Sequence, residues 1–131
     1  MITAADLRTV DLFDDVSDDD LVPWLEVVRE ERVEPGGLIA EHGVPVSSML
    51  LLLEGSGQNF VFENDRPEPM GSQVAPTWLG AIAALTGDEL GVRVIASTPC
   101  RLGLIDAPDF RRLALAQPLV HERVMRQVAP S

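Results

Sequence analysis

Gly80 lies where the backbone of this chain is best placed to bind a ligand. The residues before it, Thr77-Trp78-Leu79, are typical of a strand end, and residues 81–85 have the Ala- and Leu-rich composition of a helix. A helix that begins directly after a glycine turn exposes free N–H groups and the positive end of its dipole. The turn at Gly80 therefore predicts a site that favours an anionic group.

Metal chemistry has little support, because the sequence holds only two histidines, His42 and His121. His42 falls in a predicted turn and is expected to be solvated, and His121 falls on the surface of the last predicted helix. A metal enzyme built inside a β-barrel needs about three His or carboxylate ligands that converge on one point. We therefore predict no metal site and no bound cofactor.

Covalent catalysis is equally unsupported. Cys100 is the one cysteine of the chain, and no motif pairs it with a base or builds a triad around a serine or an aspartate. A lone cysteine at the start of a predicted strand is expected to be buried, with redox sensing as the alternative interpretation. The chain itself is therefore predicted to have no catalytic residues and not to be an enzyme.

The composition excludes one class of partner. The 131 residues carry a net charge of −11, and the ten basic residues are all arginine. Nucleic acids select basic surfaces, so no nucleic-acid partner is expected. The length and the 46% hydrophobic fraction fit a single domain with a substantial core. We find no secretory signal and no apolar span of about 18 residues, which predicts a cytoplasmic protein without membrane contact.

Helix signals lie near both ends of the chain. Thr3 can cap a first helix, and Ser17, followed by three aspartates, can begin a second one whose apolar face includes Trp24. Towards the other end, Asp106 is expected to cap a helix, and residues 120–128 are expected to form the last one. These helices are predicted to flank a central region of different structure.

The central region breaks into many short apolar runs separated by Gly, Pro, Asn and Asp, which is typical of a rolled antiparallel sheet. Residues 49–53 are apolar enough to be buried on both faces. The predicted strands cover residues 30–33, 38–40, 49–53, 60–62, 69–74, 77–79, 92–96 and 100–105. The predicted fold class is mainly β, a β-roll or jelly roll of about eight short strands over residues 29–105, with N-terminal helices over 1–28 and C-terminal helices over 106–131.

Several motifs occur in the order that one known family shows. They are Leu12-Phe13 ahead of the Ser17 helix, the Pro35-Gly36-Gly37 turn, the apolar run that ends at Gly55, and the turn at Gly80. On these motifs, residues 5–125 resemble the cyclic nucleotide-binding domain family of catabolite activator proteins, kinases and channels. The resemblance implies a β-roll that acts as a regulatory input, with a phosphate-binding cassette after Gly80 and an output domain beyond the last helix.

The cassette departs from the family pattern at two side chains. Where the family has a Glu for the ribose hydroxyl this chain has Ala81, and where it has an Arg for the phosphate this chain has Leu90. Arg93 lies three residues later, and an odd shift in a strand turns it to the other face. Losing two charged hydrogen bonds of about 1.5–3 kcal/mol each weakens binding by about 10²- to 10⁴-fold. Asp88 and Glu89 add negative charge beside the place of the phosphate.

Two functions remain open for this region. In the first, the chain is the sensory input domain of a larger bacterial signalling protein and holds an unidentified small molecule rather than cyclic AMP or cyclic GMP bound in the usual way. In the second, the pocket is vestigial and the chain works by contact, as a homodimer or against an adjacent output domain such as a sensor kinase or oxidoreductase. The candidate pocket residues are Gly80, Ala81, Ile82, Ala83, Leu90, Gly91 and Val92.

The shape of the region beside Gly80 separates the two functions. An open cavity of several hundred Å³ there favours a ligand. Trp78, Leu79 or Leu90 filling that space favours contact alone.

Overall fold

The computed structural model describes residues 1–127, which fold into eight strands and five helices. The helices are α1 (Ala4–Arg8), α2 (Asp18–Val27), α3 (Ala81–Thr86), α4 (Ala107–Ala116) and α5 (Pro118–Arg126). The strands are β1 (Arg29–Val33), β2 (Leu38–Ala40), β3 (Ser48–Glu54), β4 (Ser56–Glu63), β5 (Arg66–Val74), β6 (Thr77–Leu79), β7 (Arg93–Ala96) and β8 (Cys100–Asp106).

The strands form two four-stranded antiparallel sheets. The first has the order β1-β8-β3-β6 and the second the order β2-β7-β4-β5. The two sheets enclose an apolar interior between them, and the helices pack on the other face of the first sheet. The predicted fold class, an antiparallel β-roll with helices before and after it, is confirmed.

Strand β3 is the element that separates the two cores of the molecule. Met49 and Leu51 pack with the helices, whereas Leu50 and Leu52 pack inside the roll. All four side chains are buried, so the prediction that this strand is covered on both faces is confirmed. The alternation of side chains along a strand explains why one short segment serves two cores.

The helical core is built around Trp24 of α2. Its ring lies 5.0 Å from the ring of Phe13 and 5.7 Å from the ring of Phe110, measured between centroids, and all three side chains are fully buried. The indole N–H of Trp24 donates to Gln117 Oε1 at 2.9 Å, which satisfies the polar end of a buried ring. Gln117 separates α4 from α5, so this bond ties the C-terminal helices to α2.

The predicted helix caps are confirmed at the N-terminal end and wrong at the C-terminal end. Thr3 caps α1 and Ser17 caps α2, each with its hydroxyl oxygen accepting a backbone N–H. Asp106 precedes α4 as expected but makes no cap hydrogen bond. Its carboxylate instead accepts hydrogen bonds from Arg29 at 2.7 Å and from Ser48 at 3.1 Å, because a tertiary ion pair competes with the local cap.

Three further predictions need correction. The tip of the β4–β5 hairpin is limited to Asn64 and Asp65, both with positive φ, so β5 begins earlier than predicted. His121 is half-buried on α5 rather than a surface residue. The last helix begins at Pro118 and ends at Arg126, and Val128, the predicted end, lies outside the described residues.

Arg101 joins the N-terminal segment to the first sheet. Its guanidinium donates to both carboxylate oxygens of Asp6 at 3.0 Å and to the backbone oxygen of Met1 at 3.0 Å, and it also pairs with Glu30. Its side chain is only 11% exposed. The hydrogen bond from Arg101 lowers the pKa of Asp6 from 3.8 to about 2, against an opposing effect of partial burial.

We predict that this ion pair makes the stability of the fold depend on pH. Because the folded pKa of Asp6 lies below its unfolded pKa, the stabilisation is complete above about pH 4 and is lost as the pH falls through about 2. The shift corresponds to at most about 2.5 kcal/mol, which partial exposure reduces to about 1–2 kcal/mol. Arg101→Met should therefore lower the free energy of unfolding at pH 6, and the deficit should shrink towards pH 2. Urea unfolding at both pH values measures it.

The matched control for this prediction is Arg66→Met. Arg66 is exposed at the start of β5 and takes no ion pair within residues 1–127. Its substitution should change stability by less than about 0.5 kcal/mol at either pH. A deficit in Arg101→Met that is the same at pH 6 and pH 2 would show that the arginine acts through packing rather than charge.

We also predict that Gly55 is the glycine least able to accept a side chain. Its φ of +95° is unfavourable for other residues, and an added Cβ would collide with the backbone oxygen of Pro99 and lie 2.8 Å from Cys100 Sγ. Gly55→Ala should cost about 3 kcal/mol. Gly71→Ala is the control, because Gly71 has a φ of +76° but nothing within 4 Å, so only the backbone cost of about 1 kcal/mol applies. If urea unfolding shows the same loss of unfolding free energy in Gly55→Ala and Gly71→Ala, the predicted collision at Gly55 is wrong.

Candidate functional site

A cavity of about 370 Å³ opens into the interior of the roll beside Gly80. Its walls come from the inner face of the first sheet, from β2, and from the loop between β2 and β3. The lining residues are Arg29, Glu31, Leu38, Ile39, Ala40, Glu41, Val44, Pro45, Val46, Ser47, Ser48, Leu50, Leu79, Gly80, Leu90, Leu102 and Leu104.

One part of the cavity lining is apolar. Leu50 and Leu102 are buried and lie on neighbouring strands, and Leu104 continues the same face of β8. They share this face because alternate residues of a strand point to the same side of its sheet. Leucine walls favour a ligand with an apolar body, since each buried CH₂ of such a ligand gains about 0.8 kcal/mol.

The turn into α3 forms one corner of the cavity. Gly80 has a φ of +81°, and its carbonyl accepts the N–H of Ala84 at 2.8 Å, which begins the helix as predicted. The segment that follows α3 folds against the β2–β3 loop, with the N–H of Gly43 donating to the oxygen of Leu90 at 3.2 Å and that of Val46 to the oxygen of Asp88 at 3.2 Å. These backbone bonds hold Leu90 on the cavity wall.

The seven candidate pocket residues do not lie together on the cavity surface. Gly80 and Leu90 line it. Ala81 and Ala83 are buried, with Ala81 in the helical core and Ile82 packed against that core. Gly91 is exposed, and Val92 is half-buried against the core of the roll. The first turn of α3 therefore presents its apolar side chains to the helices, and whether any of the seven binds a ligand stays a prediction.

Three charged side chains line the cavity, and two of them are already paired. Arg29 donates to Asp106 at 2.7 Å, and this bond lowers the pKa of Asp106. Glu41 accepts two hydrogen bonds from Arg93, at 2.7 and 3.0 Å, which lower the pKa of Glu41. Glu31 is the third, and within residues 1–127 it has neither a hydrogen bond nor an ion pair with another side chain.

Arg93 lies outside the cavity, in agreement with the prediction from its register. Its neighbours on β7, Val94 and Ala96, are buried in the core of the roll, so Arg93 occupies the opposite face of the strand. There the guanidinium carbon lies 4.8 Å from the centre of the Phe62 ring. The same ring stacks on His42 at 4.2 Å, so the expectation of a solvated His42 is wrong: Phe62 covers one of its faces and leaves it half-buried.

The part of the chain that the structure describes contains no group of three or more His, Cys, Asp or Glu side chains able to hold a metal ion. Cys100 is 3% exposed, and its sulfur lies 3.3 Å from the backbone oxygen of Ser56. The expectation that this thiol is buried is confirmed. Among residues 1–127, no helix is both long and apolar enough to cross a bilayer.

Sequence reasoning missed most of the cavity wall, including Arg29, Glu31 and the β2–β3 loop. One signal could have found the two charged residues. Val33 is an inward-facing residue of β1, so the residues two and four positions before it, Glu31 and Arg29, must face the same side. The loop carries no such periodicity, because its position depends on backbone bonds to the segment around Leu90.

Comparison with known proteins agrees with this architecture. A family profile described as the cyclic nucleotide-binding domain matches residues 30–117. No curated protein matches the sequence.

Many solved structures are similar to this chain, and three of them illustrate the likeness. The regulatory domain of Toxoplasma gondii PKA, crystallised with cAMP, has a TM-score of 0.83 at 17% identity. The match covers 95% of this chain and 48% of the Toxoplasma gondii chain. The regulatory subunit of a cAMP-independent protein kinase A from Trypanosoma brucei has a TM-score of 0.83 at 15% identity, over 94% of this chain and 44% of its own. A mutant cAMP-binding acyltransferase from Mycobacterium smegmatis has a TM-score of 0.75 at 25% identity, and the match covers 94% of this chain and 38% of the acyltransferase. This chain thus spans less than half the length of each.

Proposed function

The chain belongs to the cyclic nucleotide-binding domain family, and from that membership we propose that it is the regulatory input domain of a larger bacterial signalling protein. Its roll cavity binds a small molecule with an apolar body and no negative charge, and it does not bind cyclic AMP or cyclic GMP in the usual way. The observation that carries this proposal is the cavity of about 370 Å³ with Leu90 on its wall.

The volume of the cavity supports a ligand. Small-molecule sites are typically clefts of about 300–1,000 Å³ with mostly apolar walls and a few polar groups. Leu79 and Leu90 line the space rather than fill it. Trp78 is turned towards the helical core, where its indole N–H donates to Asp11 at 2.6 Å. The side chains that could have filled the cavity leave it open, which favours a ligand over a domain that works by contact alone.

The charges of the cavity oppose a phosphate. Its lining contains two carboxylates, Glu31 and Glu41, the second of which is paired with Arg93, and a single guanidinium, Arg29, which is already engaged by Asp106. A phosphate placed there would face the charge of Glu31, which has no basic partner within the described residues and is exposed, so water weakens the repulsion without removing it. The leucine at position 90 offers it no compensating hydrogen bond.

Membership of a larger protein is supported by the comparisons. The three similar solved chains named above are each more than twice as long as the region they share with this one, and one of them is described as a cAMP-binding acyltransferase. The regulatory subunit from Trypanosoma brucei is described as part of a cAMP-independent kinase, so a related fold serves regulation without cAMP. We propose that this chain likewise keeps the fold and a regulatory role without binding cyclic AMP in the usual way.

We predict that the cavity binds a simple apolar probe, 1-hexanol. At a ligand efficiency of about 0.6 kcal/mol for each of roughly seven non-hydrogen atoms, the dissociation constant should be about 1 mM. Leu90→Trp should remove this binding, because an indole ring on the wall occupies the space that the probe needs. Chemical-shift titration by NMR measures both.

The control for this experiment is Val74→Trp. Val74 is 65% exposed on β5 and does not line the cavity. This variant adds the same ring to the protein and should bind 1-hexanol as the unmodified chain does. Failure of the unmodified chain to bind, or equal binding by Leu90→Trp, would count against a ligand in the roll.

We also predict that cyclic AMP does not bind at micromolar concentrations and that Leu90→Arg creates measurable affinity for it. The substitution places a guanidinium on the cavity wall, where a charge-assisted hydrogen bond to phosphate contributes about 1.5–3 kcal/mol, or roughly 10- to 150-fold in affinity. Val74→Arg makes the same change of charge outside the cavity and should leave binding undetectable. Isothermal titration calorimetry compares the three proteins. Micromolar binding by the unmodified chain would show that Arg29 or Arg93 reaches the phosphate.

A further inference from the structure

Glu31 is the one charged side chain on the cavity wall without a partner of its own within the described residues. It lies on β1 opposite Leu102 of β8, and both residues line the cavity. The nearest basic lining residue along the strand, Arg29, is bound to Asp106 and Ser48 instead. Glu31 is exposed to solvent, so its carboxylate is hydrated and open to a ligand that lies against the leucines of the cavity.

The side chains around the cavity carry a net negative charge. Three carboxylates, those of Glu31, Glu41 and Asp106, are matched there by only two guanidinium groups, those of Arg29 and Arg93. The loop that closes the cavity next to Leu90 adds Asp88 and Glu89, both exposed. The chain as a whole carries a net charge of −11, so the field outside the cavity also attracts cations.

The ligand has to satisfy both the apolar wall and the free carboxylate. A metal ion does not fit, because within the described residues no three ligating side chains converge and a bare ion makes no use of the leucines in the lining. A neutral apolar molecule fills the space but gains nothing from the charge of Glu31, whose exposed carboxylate stays in water. A protonated amine attached to an apolar body uses both, because its N–H groups donate to the carboxylate while its carbon atoms lie along the wall.

We propose that the natural ligand of the roll cavity is a small organic cation, an amine carried on an apolar body, with its ammonium group on Glu31 and its body against Leu50, Leu102 and Leu104. This assignment rests on the proposed function, since it names the class of ligand for the same cavity. It specifies the charge of the ligand, which the cavity volume alone leaves open.

Three probes of one length test the proposal: hexylamine, 1-hexanol and hexanoate, which are cationic, neutral and anionic at pH 7. Hexylamine should bind about tenfold more tightly than 1-hexanol, as expected for one partly exposed charge-assisted hydrogen bond. Hexanoate should bind more weakly than the alcohol. Raising the sodium chloride concentration from 50 to 500 mM should weaken hexylamine binding and leave 1-hexanol unchanged, because salt screens only the charged interaction.

The variant that tests the residue is Glu31→Gln, which keeps the size of the side chain and removes its charge. It should reduce hexylamine binding to the level of 1-hexanol and leave 1-hexanol itself unaffected. Glu63→Gln is the matched control, since Glu63 is exposed at the end of β4 and does not line the cavity. Urea unfolding of both variants confirms that they are folded.

The outcomes separate this inference from the function on which it rests. Equal binding of hexylamine and 1-hexanol, or hexylamine binding that Glu31→Gln leaves intact, would overturn the cationic ligand while leaving an apolar cavity site in place. Hexylamine binding that persists in Leu90→Trp would place the amine on the outer surface and also overturn it. If none of the three probes binds the unmodified chain, both the cationic ligand and the cavity site fall together.

Discussion

The structure depends on one constraint: the first sheet has to be buried on both of its faces. Strand β3 places Leu50 and Leu52 inside the roll and Met49 and Leu51 under the helices, and all four are buried. Neither layer alone covers this strand, so the roll and the helices stabilise each other. The cavity is thereby bounded by a sheet whose rear face is packed against α2, α3 and α4, which makes that wall resistant to deformation.

Local signals in the sequence predicted the elements well, because each depended on residues close in the chain. The caps at Thr3 and Ser17 and the turn at Gly80 are of this kind. What the sequence could not predict were partners distant along the chain. Asp106 has the spacing of a cap but meets Arg29, which lies 77 residues before it, and the ion pair replaces the cap hydrogen bond.

The residues of the candidate site also fall into those that the sequence predicted and those that it did not. The sequence identified Gly80 and Leu90, which line the cavity, by their place in a recognisable turn and the segment after it. It grouped Ala81 with them because it follows Gly80, yet the helical rotation places Ala81 in the opposite core. A six-residue helix turns through more than one full rotation, so adjacency in sequence does not mean a shared surface. Strand alternation, by contrast, applies to β1 without exception and would have placed Glu31 correctly.

Strand β6 connects the cavity with the C-terminal helix through three residues. Leu79 lines the cavity, while Trp78 beside it faces the helices and donates to the carboxylate of Asp11 at 2.6 Å. Arg123 of α5 donates to the backbone oxygen of that same Asp11 at 2.6 Å and pairs with Asp14 and Asp15. The side chain of Arg123 is only 14% exposed, whereas its partners Asp14 and Asp15 are 48% and 77% exposed, so water competes for these ion pairs on the carboxylate side. One short strand therefore presents Leu79 to the cavity on one face and, on the other, holds Trp78 in the hydrogen-bonded contacts that reach α5.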